Sequence, residues 1–315
     1  MTKQHLWQRR SLLMAGLGLA GSSLVSIARQ SSGDQTNNEP SQNAAPKTVD
    51  DRNQPLRLGW SAWSDAEVVS LMAAELIRSA LNQPVERVMA DIGIQYQSVA
   101  RGDLDLMLMA WLPATHRDYW TRIRDQVLDL GPIYSGTLGW IVPDYVPDDV
   151  ISSIRQLSDP ALASQFDNRV QGIDPGSGLN QASLDALKRY RLNNMELVPS
   201  SSAAMAAVLA QAIEQERWLI ATSWTPHWMF ARFKLRFLED PERVFGGTER
   251  IHALARLGLD QQVPDVTDFL SRFHLPSEDL DQLLLQAQTT SPDDAVTTYL
   301  ANQPKRVEYW ITGNL

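Results

Sequence analysis

The chain has 315 residues, of which 43% are hydrophobic and 21% are charged, enough for one or two globular domains with a sizeable core. It contains no cysteine, which excludes disulfides, thiol nucleophiles, cysteine-ligated metal sites and a cysteine-anchored lipoprotein. The 28 basic and 37 acidic residues give a net charge of -9, which argues against a surface that binds nucleic acid or anionic membranes. Tryptophan is abundant, with 10 residues against 7 tyrosines and 7 phenylalanines.

Residues 1–28 have the layout of an export signal, because Lys3, Arg9 and Arg10 precede an uncharged apolar stretch. The arginine pair, followed by Ser-Leu-Leu, looks like a twin-arginine signal, and a general secretory signal is the alternative. We therefore expect a periplasmic protein that is exported by the twin-arginine route and is not a lipoprotein. Residues 29–54 are rich in Ser, Asn, Gln, Asp and Pro, and this composition predicts a disordered tether.

After the tether, short apolar strands alternate with longer helical patterns, which is typical of parallel α/β sheets. Strands are predicted at 56–60, 85–91 and 105–110, and helices at 64–81 and 115–126. The first of these helices begins with a capping box formed by Ser64 and Glu67. A long extended stretch at 134–143, with no obvious helix after it, is a candidate for the passage into a second lobe.

The second half of the chain repeats the alternation of strands and helices. Strands are predicted at 170–174, 196–199, 218–223 and 251–256, and helices at 179–190, at 201–216 and in several segments between 240 and 310. A glycine turn at 175–178 joins the first of these strands to the helix that follows it. The whole pattern predicts an α/β fold with two lobes of ordinary size.

Trp63, Trp111 and Trp224 each lie at the end of a predicted strand, and the glycine turn occupies a fourth such junction. In open α/β sheets, ligands bind at the carboxyl ends of the strands. A quaternary ammonium has no N–H to donate, so electron-rich ring faces recognise it, and Trp has the best such face. The three residues predict an aromatic cage for a methylated cation. For any single tryptophan the alternative is ordinary core packing.

The glycine turn leads into a helix N-terminus, where free backbone N–H groups and the helix dipole favour an anion such as a carboxylate. His116 follows Trp111 by five residues and can donate to the same carboxylate, or it can lie on a helix surface. His227 has two similar options, the rim of the cleft or the cap of a helix. A cage beside an anion site predicts a small zwitterionic ligand with a methylated cation and a carboxylate.

Three stretches carry a resemblance to a known family: AWLPATH at 110–116, GIDPGSGL at 172–179 and SWTPHWMF at 223–230. They occur in order within a region of roughly 56–310, over which the chain resembles the glycine betaine binding proteins of ABC importers, the OpuAC-like family. The third stretch begins with Ser223 where family members often have glycine. The resemblance implies a type II periplasmic-binding-protein fold, in which two α/β lobes joined by a two-crossing hinge enclose the ligand in the cleft between them.

The resemblance also implies lobe limits and a set of site residues. One lobe would be 55–142 plus 237–315, and the other would be 143–236. In the family, three tryptophans surround the trimethylammonium group, while a glycine turn and a histidine hold the carboxylate. The matching ligand-binding positions are Trp63, Trp111, His116, Gly178, Leu179 and Trp224.

Asp65 is a further candidate, because choline-binding relatives use an acid two residues past a cage tryptophan against the cation. Its alternative is a helix first-turn acid favoured by the dipole. The sequence therefore leaves the choice between glycine betaine and choline open at this position.

These observations predict a substrate-binding protein of an ABC importer that captures a compatible solute, glycine betaine or a related betaine, and delivers it to a membrane permease driven by ATPase subunits. No cofactor, metal ion or nucleic acid is expected. The alternatives are a choline or carnitine binding protein, a ligand-loaded sensor for a signalling partner, and an exported enzyme acting on a methylated amine. An enzyme is disfavoured because the chain has 5 histidines, no His-Glu-x-x-His motif and no Gly-x-Ser-x-Gly motif.

Overall fold

The computed structural model describes residues 54–314. The export signal and nearly all of the tether predicted from the sequence lie outside the described residues. Within residues 54–314, no helix is both long enough and apolar enough to span a membrane.

Strands and helices alternate between residues 56 and 237, as the sequence predicts, and within residues 54–314 the last strand is followed by five consecutive helices. The strands of residues 54–314 are β1 (Leu56–Trp60), β2 (Val85–Met89), β3 (Leu106–Leu112), β4 (Val127–Pro143), β5 (Arg169–Gln171), β6 (Glu196–Val198), β7 (Ile220–Thr225), β8 (Leu235–Phe237) and β9 (Glu249–Arg256). The helices of the same range are α1 (Ser64–Ser79), α2 (Ile92–Arg101), α3 (Arg117–Ile123), α4 (Pro160–Ser164), α5 (Gly178–Arg189), α6 (Ser202–Glu214), α7 (Trp228–Arg232), α8 (Leu259–Gln262), α9 (Pro264–Arg272), α10 (Ser277–Thr289), α11 (Pro292–Asn302) and α12 (Pro304–Thr312).

The strands form a mixed sheet in the order β2-β1-β3-β9-β4-β7-β5-β6, with β8 also paired to β4. In the first half-sheet, β1 is parallel to β2 and β3, and β9 runs antiparallel to β3. In the second half-sheet, β5 is parallel to β6 and β7. The two half-sheets share β4, which pairs with β9 up to Gly136 and with β7 from Thr137 onward.

The chain passes between the half-sheets twice, once within β4 and once between β8 and β9. Two crossings of this kind, with an α/β half-sheet on each side, agree with the type II fold that the resemblance implies. The lobe limits at 142 and 236 stay a prediction. A lobe is a group of residues that move together, and strand pairing does not show which residues do so.

Burial explains why the central segments form strands. Every residue of β3, with the sequence LMLMAWL, is buried, as expected for a strand covered on both faces. Trp140 and Trp310 have the ordinary core-packing role, because both are fully buried in the hydrophobic core. The indole N–H of Trp140 donates to the hydroxyl of Ser183 at 3.0 Å, so this buried polar atom has a partner.

Helix α2 is not predicted from the sequence, which indicates a strand at 85–91 followed directly by a strand at 105–110. Its β-branched residues Ile92, Ile94 and Val99 favour a strand interpretation. The buried positions of the helix recur at helical spacing, and Gly102 ends it in a left-handed conformation with φ of 77°.

Several predicted boundaries were also wrong. Helix α3 occupies 117–123 instead of 115–126, because His116 takes the N-cap position and a short 3₁₀ turn, Arg124–Gln126, follows. Strand β4 begins at Val127, not at residue 134, because register shifts accommodate Gly131 and Pro132 within it. Strands β3 and β7 extend further than predicted, so Trp111 and Trp224 lie inside strands.

Gly136 provides a test of the junction inside β4. A Cβ atom there would lie 2.5 Å from the carbonyl oxygen of Thr225 and 2.5 Å from the ring of Trp111. We expect Gly136→Ala to lower the free energy of unfolding by about 1–3 kcal/mol, because neither backbone nor a packed ring can yield easily. Gly247→Ala is the matched control, since its added Cβ would meet nothing within 4 Å. Equal urea midpoints for the two variants would contradict this account of the junction.

Candidate ligand site

A small cavity lies between the two half-sheets, where the carboxyl ends of β1, β3, β5 and β7 come together. All six ligand-binding residues predicted from the sequence line it. The remaining lining residues are Thr115, Leu138, Ile173 and Ser177. Within residues 54–314, no group of three His, Asp or Glu side chains could hold a metal ion.

The three tryptophans reach the cavity from both half-sheets and are nearly buried. Trp63 follows β1 and Trp111 lies in β3, both in the first half-sheet, while Trp224 lies in β7 in the second. The ring centroids of Trp63 and Trp224 are 6.5 Å apart, with an interplanar angle of 60°. This edge-on geometry lets neighbouring rings present different faces to one enclosed volume.

Each of the three rings also contacts a neighbouring side chain outside the trio. The indole N–H of Trp63 donates to Oδ2 of Asp174 at 2.7 Å. The ring of Tyr134 meets that of Trp111 edge to face, with the centroids 6.5 Å apart. His227 supports Trp224 with a perpendicular ring 4.6 Å away.

His227 has the helix-capping role that the sequence analysis offered as one option. Its Nδ1 accepts the backbone N–H of Met229 at 3.2 Å at the start of α7. Burial lowers the pKa of His227 to about 3, so the ring that supports Trp224 is neutral at neutral pH.

His116 is buried, and its hydrogen bonds decide which ring nitrogen carries the proton. Nδ1 lies 3.1 Å from the backbone N–H of Trp111, which can only donate, and 3.3 Å from the hydroxyl of Tyr96. The proton is therefore on Nε2. Burial lowers the pKa of His116 to about 3, so the ring is a neutral donor at neutral pH.

The turn that carries Trp111 and His116 is held by Glu249, a residue that the sequence analysis missed. The nearly buried carboxylate of Glu249 accepts the backbone N–H groups of Ala114 at 3.2 Å and Thr115 at 3.0 Å. Burial raises the pKa of Glu249, against the effect of these hydrogen bonds. No local pattern connects the acid with a turn 134 residues away.

The start of α5 forms the polar end of the cavity. The hydroxyl of Ser177 accepts the N–H of Asn180 at 3.0 Å, and its carbonyl accepts the N–H of Gln181 at 3.1 Å. Because the first N–H groups of a helix have no acceptor within it, those of Gly178 and Leu179 are available as donors, and both residues line the cavity. They lie beside His116 among the residues that line the cavity.

Asp65 is fully buried at the start of α1 and is not among the residues that line the cavity. Its Oδ2 accepts the hydroxyl of Tyr134 at 2.6 Å, and Oδ1 has no hydrogen-bond partner among the described residues. Burial raises the pKa of Asp65, and the bond from Tyr134 acts in the opposite direction. Asp65 therefore contacts Tyr134, the residue whose ring packs against that of Trp111.

A model of the OpuAC family, described as the substrate-binding domain of ABC-type glycine betaine transport systems, matches residues 54–302. The chain belongs to this family. Family membership agrees with the expectation of a substrate-binding protein and not an enzyme, and it covers the whole region that lines the cavity.

Curated relatives of this OpuAC-family chain carry matching names. A glycine betaine/carnitine transport binding protein of Listeria monocytogenes is 37% identical over 155 residues, which are 48% of this chain and 52% of that protein. A glycine betaine/proline betaine-binding periplasmic protein of Escherichia coli is 26% identical over 174 residues, or 51% of each chain. The matches thus span about half the length of these relatives.

Solved structures confirm the type II fold. Lactococcal OpuAC, in a closed conformation complexed with glycine betaine, has a TM-score of 0.76 and 32% identity, covering 82% of this chain and all of that one, 100%. A choline binding protein in complex with choline has the same TM-score of 0.76 at 22% identity, covering 82% of this chain and 92% of that one. The second likeness concerns the fold alone.

Gly178 tests how closely the two half-sheets must approach. A Cβ atom there would lie 2.4 Å from Cγ2 of Thr115 and 2.9 Å from Cδ2 of His116, both in the first half-sheet. We expect Gly178→Ala to hold the half-sheets apart and to weaken glycine betaine binding about tenfold or more, measured by calorimetry. Gly176→Ala, whose Cβ would meet nothing within 4 Å, should bind like the unaltered chain. Equal affinities of the two variants would contradict the close approach.

The neutral state of His116 predicts how ligand affinity depends on pH. Because the folded-state pKa is about 3, His116 stays a neutral donor between pH 8 and about 5, and glycine betaine affinity should be constant there. Stability should behave differently. The unfolded histidine has a pKa near 6.5, so the unfolded state takes up a proton first, and stability falls as pH drops from about 6.5 toward 3. A change in affinity centred near pH 6.5 would contradict the neutral donor.

Proposed function

We propose that this chain is the substrate-binding protein of an ABC importer and that it captures glycine betaine in a cage formed by Trp63, Trp111 and Trp224. It delivers the compatible solute to a membrane permease that ATPase subunits drive. Family membership supports the transport role. The three rings around one cavity support a quaternary ammonium as the part of the ligand that enters the cage.

The cation is the reason for an aromatic wall. A trimethylammonium group carries a full charge but offers no N–H, so a carboxylate can attract it without orienting it. Ring faces do both at short range, with about 0.5–2 kcal/mol for each well-placed ring. Three rings supplied by two half-sheets also make the enclosure depend on closure.

The carboxylate of the ligand is the group that favours glycine betaine over choline. His116 offers Nε2–H because its Nδ1 accepts the N–H of Trp111, and this hydrogen bond is the observation on which the proposal depends. Gly178 and Leu179 approach His116 from the other half-sheet, since a Cβ atom at Gly178 would lie 2.9 Å from Cδ2 of His116. Three neutral donors can satisfy a carboxylate without a second cation beside the trimethylammonium group. The cavity thus suits a zwitterion whose charges are close together.

We further propose that the segments 55–142 plus 237–315 and 143–236 move as two lobes and close on the ligand. Ligand binding shifts the population toward the closed form, which the permease recognises. The signal at 1–28 directs export by the twin-arginine route to the periplasm, without a lipid anchor. A periplasmic relative in Escherichia coli supports this location.

Choline is the second candidate, and Asp65 is the observation that favours it. The carboxyl of Asp65 keeps one buried oxygen without a hydrogen-bond partner among the described residues. In a choline receptor this oxygen would face the cation. Asp65 does not line the cavity, whereas His116, Gly178 and Leu179 do, and this difference favours a carboxylated ligand instead.

Thermal denaturation with glycine betaine, proline betaine, carnitine or choline in excess tests the ligand. A compound that binds only the folded chain at 100 times its Kd adds about 2.7 kcal/mol of stability and raises the midpoint. We expect a shift with the betaines and none with choline. A shift with choline alone would replace the betaine proposal with a choline receptor, and no shift with any compound would contradict both.

Two comparisons test the cage itself. In 3,3-dimethylbutanoate a carbon replaces the nitrogen of glycine betaine, so the shape stays and the cation is lost. This compound should bind at least tenfold more weakly. Trp111→Leu should weaken glycine betaine binding by a similar factor, while Trp218→Leu, at a ring that packs on Phe166 outside the cavity, should not. Equal binding of the two compounds would refute a cation-selective cage.

A further inference from the structure

One hydrogen bond joins a ring of the cavity to the opposite half-sheet. The indole N–H of Trp63, in the loop between β1 and α1, donates to Oδ2 of Asp174, which follows β5. The bond measures 2.7 Å and joins residues 111 positions apart in the chain. A carboxylate acceptor makes this one of the stronger types of hydrogen bond.

The backbone around Asp174 is fixed without help from its side chain. Its carbonyl oxygen accepts the N–H of Ser177 at 3.0 Å and the hydroxyl of Ser177 at 2.8 Å. These two bonds shape the glycine turn. The side chain of Asp174 is therefore dispensable for the turn, and its described hydrogen bond is the one with Trp63.

We propose that Asp174 is a positioning residue that couples closure of the half-sheets to the assembly of the cage. The inference rests on the proposed function and deepens it. When the half-sheets meet, the carboxylate of Asp174 takes the N–H of Trp63 and fixes the angle of the ring about its side-chain bonds. In the open form the bond is broken and the ring is free to turn.

The charge of Asp174 has a second effect. An anion that accepts an indole N–H pushes electron density into the ring, so the face of Trp63 becomes more negative where the ligand's cation lies. The carboxylate of Asp174 thereby affects the ligand's cation through the ring of Trp63, without contacting the cation itself. Trp63 is thus both oriented and polarised by a residue of the other half-sheet.

A second contact across the cleft provides a matched control. The hydroxyl of Tyr119, in α3, donates to the carbonyl of Gly176 at 3.1 Å and touches none of the three cage rings. Tyr119→Phe removes one cross-cleft hydrogen bond and leaves the cage as it is. If Asp174 acted only as a general contact between half-sheets, the two losses would have similar effects.

The experiment measures the Kd of glycine betaine by calorimetry for Asp174→Ala, Asp174→Asn and Tyr119→Phe. We expect Asp174→Ala to raise the Kd about 10- to 100-fold, because the loss of a charged acceptor leaves the N–H of Trp63 unpaired. Asp174→Asn keeps an acceptor and loses the charge, so its Kd should lie between those of the unaltered chain and Asp174→Ala. Tyr119→Phe should change the Kd less than about threefold.

A double-mutant cycle separates the positioning role from a structural one. Phenylalanine keeps an aromatic face and has no N–H, so Trp63→Phe should weaken binding without abolishing it. In that background Asp174→Ala should change the Kd less than about twofold. Equal fold-changes in both backgrounds would overturn the proposal.

Closure can be followed independently of affinity, because the chain has no cysteine of its own. Spin labels at Arg78→Cys in α1 and Lys188→Cys in α5, both exposed, report the distance between the half-sheets. With saturating glycine betaine, Asp174→Ala should show a larger open population than Tyr119→Phe. If the unaltered chain does not bind glycine betaine, the proposed function fails. If it binds and the two variants close alike, only the role of Asp174 fails.

Discussion

One hydrogen bond, from the backbone N–H of Trp111 to the side-chain Nδ1 of His116, determines which ring nitrogen of His116 can donate to a ligand. It places an aromatic ring and a proton donor in the same short turn, and it leaves the proton on Nε2. Glu249 holds this turn through the N–H of Thr115. Because burial keeps the pKa of His116 low, the donor brings no positive charge into a cavity whose rings suit a cation.

A second constraint is the close approach of the half-sheets at two glycines. The ring of Trp111 occupies the space that a side chain at Gly136 would need, and Thr115 does the same at Gly178. Both glycines have ordinary backbone angles, so lack of a side chain is what these positions require. The two half-sheets can approach this closely only because neither position carries a side chain.

Much of the site follows from a rule that the sequence can express. Parallel strands end at a common edge, so Trp63 and Trp111 lie together at one edge of the first half-sheet, and Trp224 lies near the corresponding end of β7 in the second. Contacts between distant segments follow no such rule. Nothing local links Asp174 to Trp63 or Glu249 to Thr115. Tyr96, which contacts His116, was missed together with its helix, because β-branched neighbours obscure the helical spacing.

The walls of the cavity come from both half-sheets, and this has a consequence for exchange with solvent. Trp63 and Trp224 line the cavity from different half-sheets, with their ring centroids 6.5 Å apart. In the proposed closed form, the residence time of a ligand would depend on how often the half-sheets separate. A surface that prises the two halves apart would release the contents without competing for them chemically.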